Sequence, residues 1–273
     1  MIRIISILTG LFFTAALLWS LTLDTIQLSK DGLPHTVEKA YVNHHLKDLK
    51  LKSDGIFGKF DKAQLKRGFE VYQGVCASCH SMGQVSYRSL AALGYSETEV
   101  KAIAAKATVS AKDPLTGEIK DRPGQPSDKF PKVIYAGVGN PPDLSLITKA
   151  RHGGAAYVYS LLTGYEAQQP AALLKEFPDA KTGENMHYNP YFANLNIAMA
   201  PPLASDDLVT YTDGTKATKD QMAQDVAAFL VWTAEPELEQ RHQTGLWWVL
   251  FMLFATVLGY MSYRNIWAEK KGH

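Results

Sequence analysis

Both cysteines of this 273-residue chain fall inside one tetrapeptide, Cys76-Ala77-Ser78-Cys79, and His80 follows directly. Two thiols this close cannot staple a domain, so the fold rests on its core or on a bound group. A thioredoxin-like redox pair shares the spacing but needs a βαβ context, which the sequence does not offer. A zinc site needs two further ligands, and there is no second cysteine pair. Cys-x-x-Cys-His is the spacing at which two thiols on one helical turn add to the vinyl groups of a porphyrin, with the next imidazole beneath the iron. The motif therefore predicts one covalent haem c, with thioethers from Cys76 and Cys79 and iron ligation by His80.

Apolar residues are unevenly spread. Leu246 to Tyr263 carries no charge over 18 residues, and aromatic residues Trp247, Trp248, Tyr260, Tyr263 and Trp267 mark its ends. Extended to Trp267, a helix here is about 33 Å long, enough to cross a hydrocarbon core of about 30 Å. Arg264, Lys270 and Lys271 follow it, which by the positive-inside rule places the C-terminus in the cytoplasm. A second apolar run, Ile4 to Leu23, stands behind Arg3 and reads as a signal peptide or an uncleaved anchor of the same orientation. With a net charge of +1, no field points to nucleic acid.

The expected organisation is a signal peptide or anchor over residues 1–24, a connector over 25–58, a haem domain over 59–235 and a membrane anchor over 236–273. His35, His44 and His45 in the connector read as solvated residues, since no carboxylate or cysteine completes a ligand set. Asp61 with Gln64 makes a capping box ahead of Leu65, Phe69, Tyr72 and Val75 at helical spacing, so a helix runs into Cys76. Ser96 with Glu99 repeats the signal before Val100, Ile103, Ala104 and Ala107. Residues 110–142 read as one long loop. Asp143 caps a short helix that Gly153-Gly154 ends, Ala155 to Thr163 forms the next, and residues 165–217 are loop-rich. Thr218 to Ala234 is an amphipathic helix with Met222, Val226, Phe229 and Leu230 on one face, and Pro236 marks the junction with the membrane helix. The fold class is mainly α, a cytochrome c-like domain with long loops. Loops of this length need a reason, and a large flat cofactor supplies one.

The sixth iron ligand comes from His152, His187, Met186, Met199 or Met222. Met222 sits on an apolar helix face and reads as core. Met199 lies in a loop stiffened by Pro201 and Pro202, which can hold a thioether at fixed distance at little entropic cost, and is favoured. His152 is the alternative, with a helix C-terminal cation as its other reading.

The motif order Cys76-Ala77-Ser78-Cys79-His80, Asn140-Pro141-Pro142-Asp143-Leu144-Ser145, Ala150-Arg151-His152-Gly153-Gly154, Leu161-Leu162-Thr163-Gly164-Tyr165, Tyr188-Asn189-Pro190-Tyr191-Phe192 and Met199-Ala200-Pro201-Pro202, followed by one C-terminal apolar helix, resembles the cytochrome c1 family. These are the haem subunits of ubiquinol–cytochrome c oxidoreductase, the bc1 complex. The resemblance spans about residues 56–270 and is of the bacterial type. It implies Met199 as axial ligand, Arg151 and Tyr157 at the haem propionates, and Pro141 and Pro142 packed along the haem. The extra disulfide of some bacterial relatives is absent. The resemblance further implies an electron-transfer subunit of quinol–cytochrome c reductase, with no bond-making chemistry of its own. Electrons would pass from the Rieske iron–sulfur protein to cytochrome c, beside cytochrome b and membrane lipid in a dimeric complex. The haem domain would face the periplasm from a bacterial inner membrane. A stand-alone membrane-anchored carrier is the alternative reading.

Overall fold

A computed structural model describes residues 2–32, 36–42, 45–112, 117–268 and 270. His35, His44 and Lys271 lie outside the described residues.

The chain starts with helix α1 (Ile2–Asp31), which is exposed along its length and extends past the expected boundary at residue 24. A short α2 (Val37–Tyr41) follows. The stretch expected as a plain connector is partly built into the domain. Lys47 donates its backbone N–H to Ser160 Oγ at 2.9 Å and its ammonium to the Thr163 carbonyl at 2.9 Å, and Leu51 and Ser53 are buried.

Helix α3 (Lys62–Val71) begins where the sequence places it. The Asp61 carboxylate accepts from the Ala63 and Gln64 N–H groups at 3.1 and 3.3 Å, satisfying two otherwise orphaned donors. Helix α4 (Glu97–Ala105) has the full capping box between Ser96 and Glu99. The expected loop over 110–142 instead opens with an antiparallel hairpin, β1 (Thr108–Lys112) on β2 (Ile119–Pro123). β1 alternates exposed residues with half-buried Val109 and Ala111, but β2 does not alternate and neither strand is fully buried, so the pattern is too short to announce the hairpin.

Helix α5 (Ile147–Ala150) is capped by Leu146, not Asp143, and ends before the double glycine. Gly153, at φ 84°, starts helix α6 (Gly154–Thr163) in place of ending the previous one. A Cβ at Gly153 would lie against the movable end of the Leu46 side chain, and it is the positive φ that favours glycine there. The loop-rich segment contains α7 (Ala171–Glu176) and a two-residue ladder, β3 (His187–Tyr188) on β4 (Asn196–Ile197). Around it Leu173, Tyr188 and Leu195 form a small satellite core against Val37, Tyr41 and Phe177.

Helix α8 (Lys219–Ala234) is the centre of the main core, flanked by α3 and α6. Met222, Val226, Phe229 and Leu230 are all buried, as their spacing requires. Phe229 meets Phe69 and Tyr72 at ring-centroid distances of 5.6 and 5.9 Å, and Phe130 closes on Phe69 at 6.2 Å. Gly68 permits this crossing, because a Cβ there would collide with the Asp225 carbonyl and lie 2.6 Å from Phe229 Cβ. Asp225, with no exposed side-chain surface, pairs with Arg67 Nε at 2.8 Å and accepts from Gln221 Nε2 at 2.9 Å. Three residues later the chain enters α9 (Leu238–Trp267), where only Leu238 of 30 residues is buried. Helices α1 and α9 are the two long and apolar enough to cross a membrane among the described residues.

Candidate functional site

The cysteine motif sits on a widened turn. After α3 the chain makes a π-helical turn over Tyr72–Cys76, a feature common at functional sites. The Ala77 N–H bonds the Tyr72 carbonyl at 2.8 Å and the His80 N–H bonds the Cys76 carbonyl at 2.9 Å. Tyr72 stays in the core and donates its hydroxyl to the His80 carbonyl at 3.2 Å, while both cysteines reach a partly exposed position, unbonded to one another. Burial pushes the Cys76 thiol up to about 12, and the Cys79 sulfur adds to the shift. A thiol held protonated in this way is unlike the low-pKa nucleophile of a redox pair.

His80 is oriented from a distant part of the chain. Its Nδ1 lies 2.8 Å from the Pro142 carbonyl oxygen. A carbonyl can only accept, so Nδ1 carries a proton, and in the neutral ring Nε2 then keeps its lone pair, the tautomer a metal-binding imidazole needs. Pro142 therefore acts through its backbone, and Pro141 beside it is half-buried.

Met199 is carried to the same segment. The Tyr165 hydroxyl donates to the Met199 carbonyl at 3.0 Å. A Cβ at Gly139, at φ 93°, would stand 3.2 Å from Ala198 Cβ. The stretch 139–142 thus touches the residue before Met199 at one end and holds His80 at the other. Asn189, fully buried, braces the loop: its side chain donates to the Leu161 carbonyl at 2.8 Å and accepts from the Tyr191 N–H at 3.0 Å. In the sequence Asn189 stands only as part of the Tyr188–Phe192 motif. A polar residue flanked by Tyr188, Pro190, Tyr191 and Phe192 was the available signal.

Arg151 and Tyr157 are brought together. Burial raises the Tyr157 phenol, and the charge and hydrogen bond of Arg151 offset part of that rise. Arg151 is exposed and bonds the Ala150 carbonyl at 3.1 Å, leaving most of its donors for another anion. Of the remaining sixth-ligand candidates, Met222 is fully buried in the α8 core and His152 is exposed. Met186 and His187 line a cavity of about 870 Å³ with Leu162, Tyr165, Pro201 and Leu203. Cys76, Cys79 and His80 do not line that cavity, which borders the methionine loop and not the cysteine turn.

A model of the Cytochrome C1 family matches residues 51–270. The chain is 44% identical over 251 residues to the cytochrome c1 of Rhodospirillum rubrum, covering 84% of this chain and 89% of that one. It is 45% identical over 228 residues to "Cytochrome c1 1, heme protein, mitochondrial" of Arabidopsis thaliana, covering 80% and 71%. It is 43% identical over 201 residues to the "Cytochrome b-c1 complex catalytic subunit, mitochondrial" of Candida albicans, covering 71% and 67%. With the family pattern running through the cysteine turn, the methionine loop and the C-terminal apolar helix alike, the chain belongs to the cytochrome c1 family.

Proposed function

We propose that this chain is the haem subunit of a bc1 complex, binding one haem covalently through Cys76 and Cys79. His80 and Met199 would ligate its iron, and Arg151 and Tyr157 would hold its propionates. The observation that carries the reading is the 2.8 Å contact from His80 Nδ1 to the Pro142 carbonyl, which leaves Nε2 free for a metal. The donor set fits the group: two unbonded thiols and a pre-oriented imidazole on one turn, a thioether on a braced loop, and a guanidinium beside a phenol. When bound, the haem supplies a one-electron iron couple, the chemistry that joins the Rieske iron–sulfur protein to cytochrome c.

The protein's own work is to hold and tune. His80 is kept in one tautomer by Pro142. The Met199 sulfur, a weaker donor than imidazole, raises the potential relative to two histidines. Arg151 offers a planar fork of donors to a carboxylate. The chain itself makes no bonds, and quinol oxidation belongs to its partners. Helix α9, and α1 where it is retained, anchor the chain in a bacterial inner membrane. The haem domain is then periplasmic and the C-terminus cytoplasmic, beside cytochrome b in a dimeric complex. Two exposed apolar helices support the anchoring.

A reduced-minus-oxidised visible spectrum of the tagged protein, extracted from membranes in mild detergent, tests the assignment. The expected result is b-type haem bands beside the c-type band. A c-type band alone, with no subunit lost on extraction, would favour a stand-alone carrier. Met199→Leu is expected to lower the potential sharply and admit carbon monoxide; a normal potential that still excludes carbon monoxide would remove Met199 as ligand.

A further inference from the structure

The side chain of Asp143 looks in sequence like a helix cap, yet it caps nothing. Its two oxygens face different segments. Oδ2 accepts from the Gly83 N–H at 2.8 Å, and Oδ1 accepts from the Ser145 N–H at 2.8 Å. Ser145, 1% exposed, accepts in turn from the Gln84 N–H at 3.0 Å. Between these rungs the Leu144 N–H donates to the Ser81 carbonyl at 2.9 Å, and Ser81 Oγ accepts from the Val133 N–H at 2.8 Å. The segment just after His80 is thus laced to the segment just after Pro142.

Such lacing has a consequence for His80. The bond from its Nδ1 to the Pro142 carbonyl joins two irregular segments 62 residues apart in sequence. Nothing in helix or sheet geometry holds them in register. The rungs at Ser81, Gly83 and Gln84 do so, and two of them end on the Asp143 and Ser145 side chains. Burial works against the Asp143 charge, but hydrogen bonds from Ser145 and Gly83 hold its carboxyl below the usual carboxylate range, so it stays an acceptor at neutral pH. Gly83 fits this closeness, since a Cβ there would lie 3.2 Å from Asp143 Oδ2.

We infer that Asp143, with Ser145, is a positioning residue for the axial histidine: it sets the His80–Pro142 hydrogen bond and through it the electron donation of the imidazole to iron. The inference rests on the reading of His80 as iron ligand. A firm Nδ1–H bond to a carbonyl makes the imidazole a stronger donor and fixes the ring plane. Loosening it weakens the donation, which disfavours the oxidised iron and raises the potential.

The test uses the full chain with its haem, followed by proton NMR of the oxidised form and by redox titration. In the native protein a hyperfine-shifted imidazole N–H that exchanges slowly with solvent is expected; its absence would sink the axial-histidine reading itself. Given that signal, Asp143→Ala is expected to speed its exchange at least about tenfold, the worth of one hydrogen bond to a charged group, and to move the midpoint potential upward. Ser145→Ala should do the same to a smaller degree. Where Asp143→Ala fails to mature, Asp143→Asn is read the same way, because its amide places a donor against the Gly83 or Ser145 N–H. Asp128→Asn is the control: Asp128 accepts from the Gln125 N–H at 2.7 Å and pairs with Arg122 in another loop, and its loss should leave both readouts unchanged. Unaltered exchange and potential in folded Asp143 and Ser145 variants would overturn the inference while leaving His80 as ligand.

Discussion

Helices α8 and α9 are separated by three residues and are both rich in apolar side chains, yet they meet opposite surroundings. Ten of the 16 residues of α8 are buried, and it even buries a carboxylate, Asp225, by giving it Arg67 and Gln221 as partners. Helix α9 buries one residue of 30, Leu238, and its phenylalanines, tryptophans and remaining leucines face outward on every side. Burial of an apolar side chain is worth about 2 kcal/mol, so a helix like α9 cannot remain in water. The difference lies in the partners that the chain itself provides. α3 and α6 provide a groove for α8, whereas α9 finds none among the described residues and calls for lipid.

Matched glycines break or sharpen this contrast most strongly. Gly68→Val forces a side chain into the Asp225 backbone and Phe229, and should cost at least about 3 kcal/mol, read as lost soluble haem domain or a lowered Tm. Gly259→Ala on α9 meets nothing within 4 Å and should change the stability of the same preparation by no more than the propensity difference of about 1 kcal/mol, in the stabilising direction. Equal losses at both positions would mean that α9 packs as tightly as α8.

A charge replacement comes next in size. Arg67→Met leaves the buried Asp225 without its cation and should cost about 3 kcal/mol in denaturant unfolding. The double variant Arg67→Met with Asp225→Leu should recover part of the loss; if it recovers nothing, the pair is not the source of the effect.

The smallest effect is a pH dependence. The Thr215 N–H and then Arg67 hold the Asp213 carboxyl down at about 2. Because its folded pKa lies below the unfolded value of about 3.9, Asp213 stabilises above about pH 4 and that stabilisation is lost as pH falls towards about 2. In Asp213→Asn the stability of the α3–α8 pair should be lower near neutral pH and should fall less steeply over that window. An unchanged acid limb would show that Asp213 is not linked to folding.

What the sequence disclosed follows the same division. Periodic apolar positions reveal α3, α8 and α9 because each helix repeats one simple environment along its length. Cys76, Cys79 and His80 stand out in the sequence because a single turn contains all three, and the haem site they form is the proposal tested below. The π turn at Tyr72–Cys76 was not, since it depends on Tyr72 being held in a core built by Phe229 and Phe130. Asp143 misled because its local pattern is that of a cap, while one of its partners, Gly83, lies 60 residues away. Gly153, expected to end a helix, instead sits at the start of α6, because α5 already stops at Ala150. The 108–123 hairpin alternates only in β1, where Val109 and Ala111 share a half-buried face, and β2 is polar beyond Ile119, so period-two patterning is too short to announce a pair of strands.

The central claim, a haem held covalently at Cys76 and Cys79, is tested most directly by haem staining after denaturing electrophoresis. The native chain should carry stain at its own protein band, and the double variant Cys76→Ala, Cys79→Ala should lose it while its protein band is still detected. A stain that survives both substitutions unchanged would contradict the account.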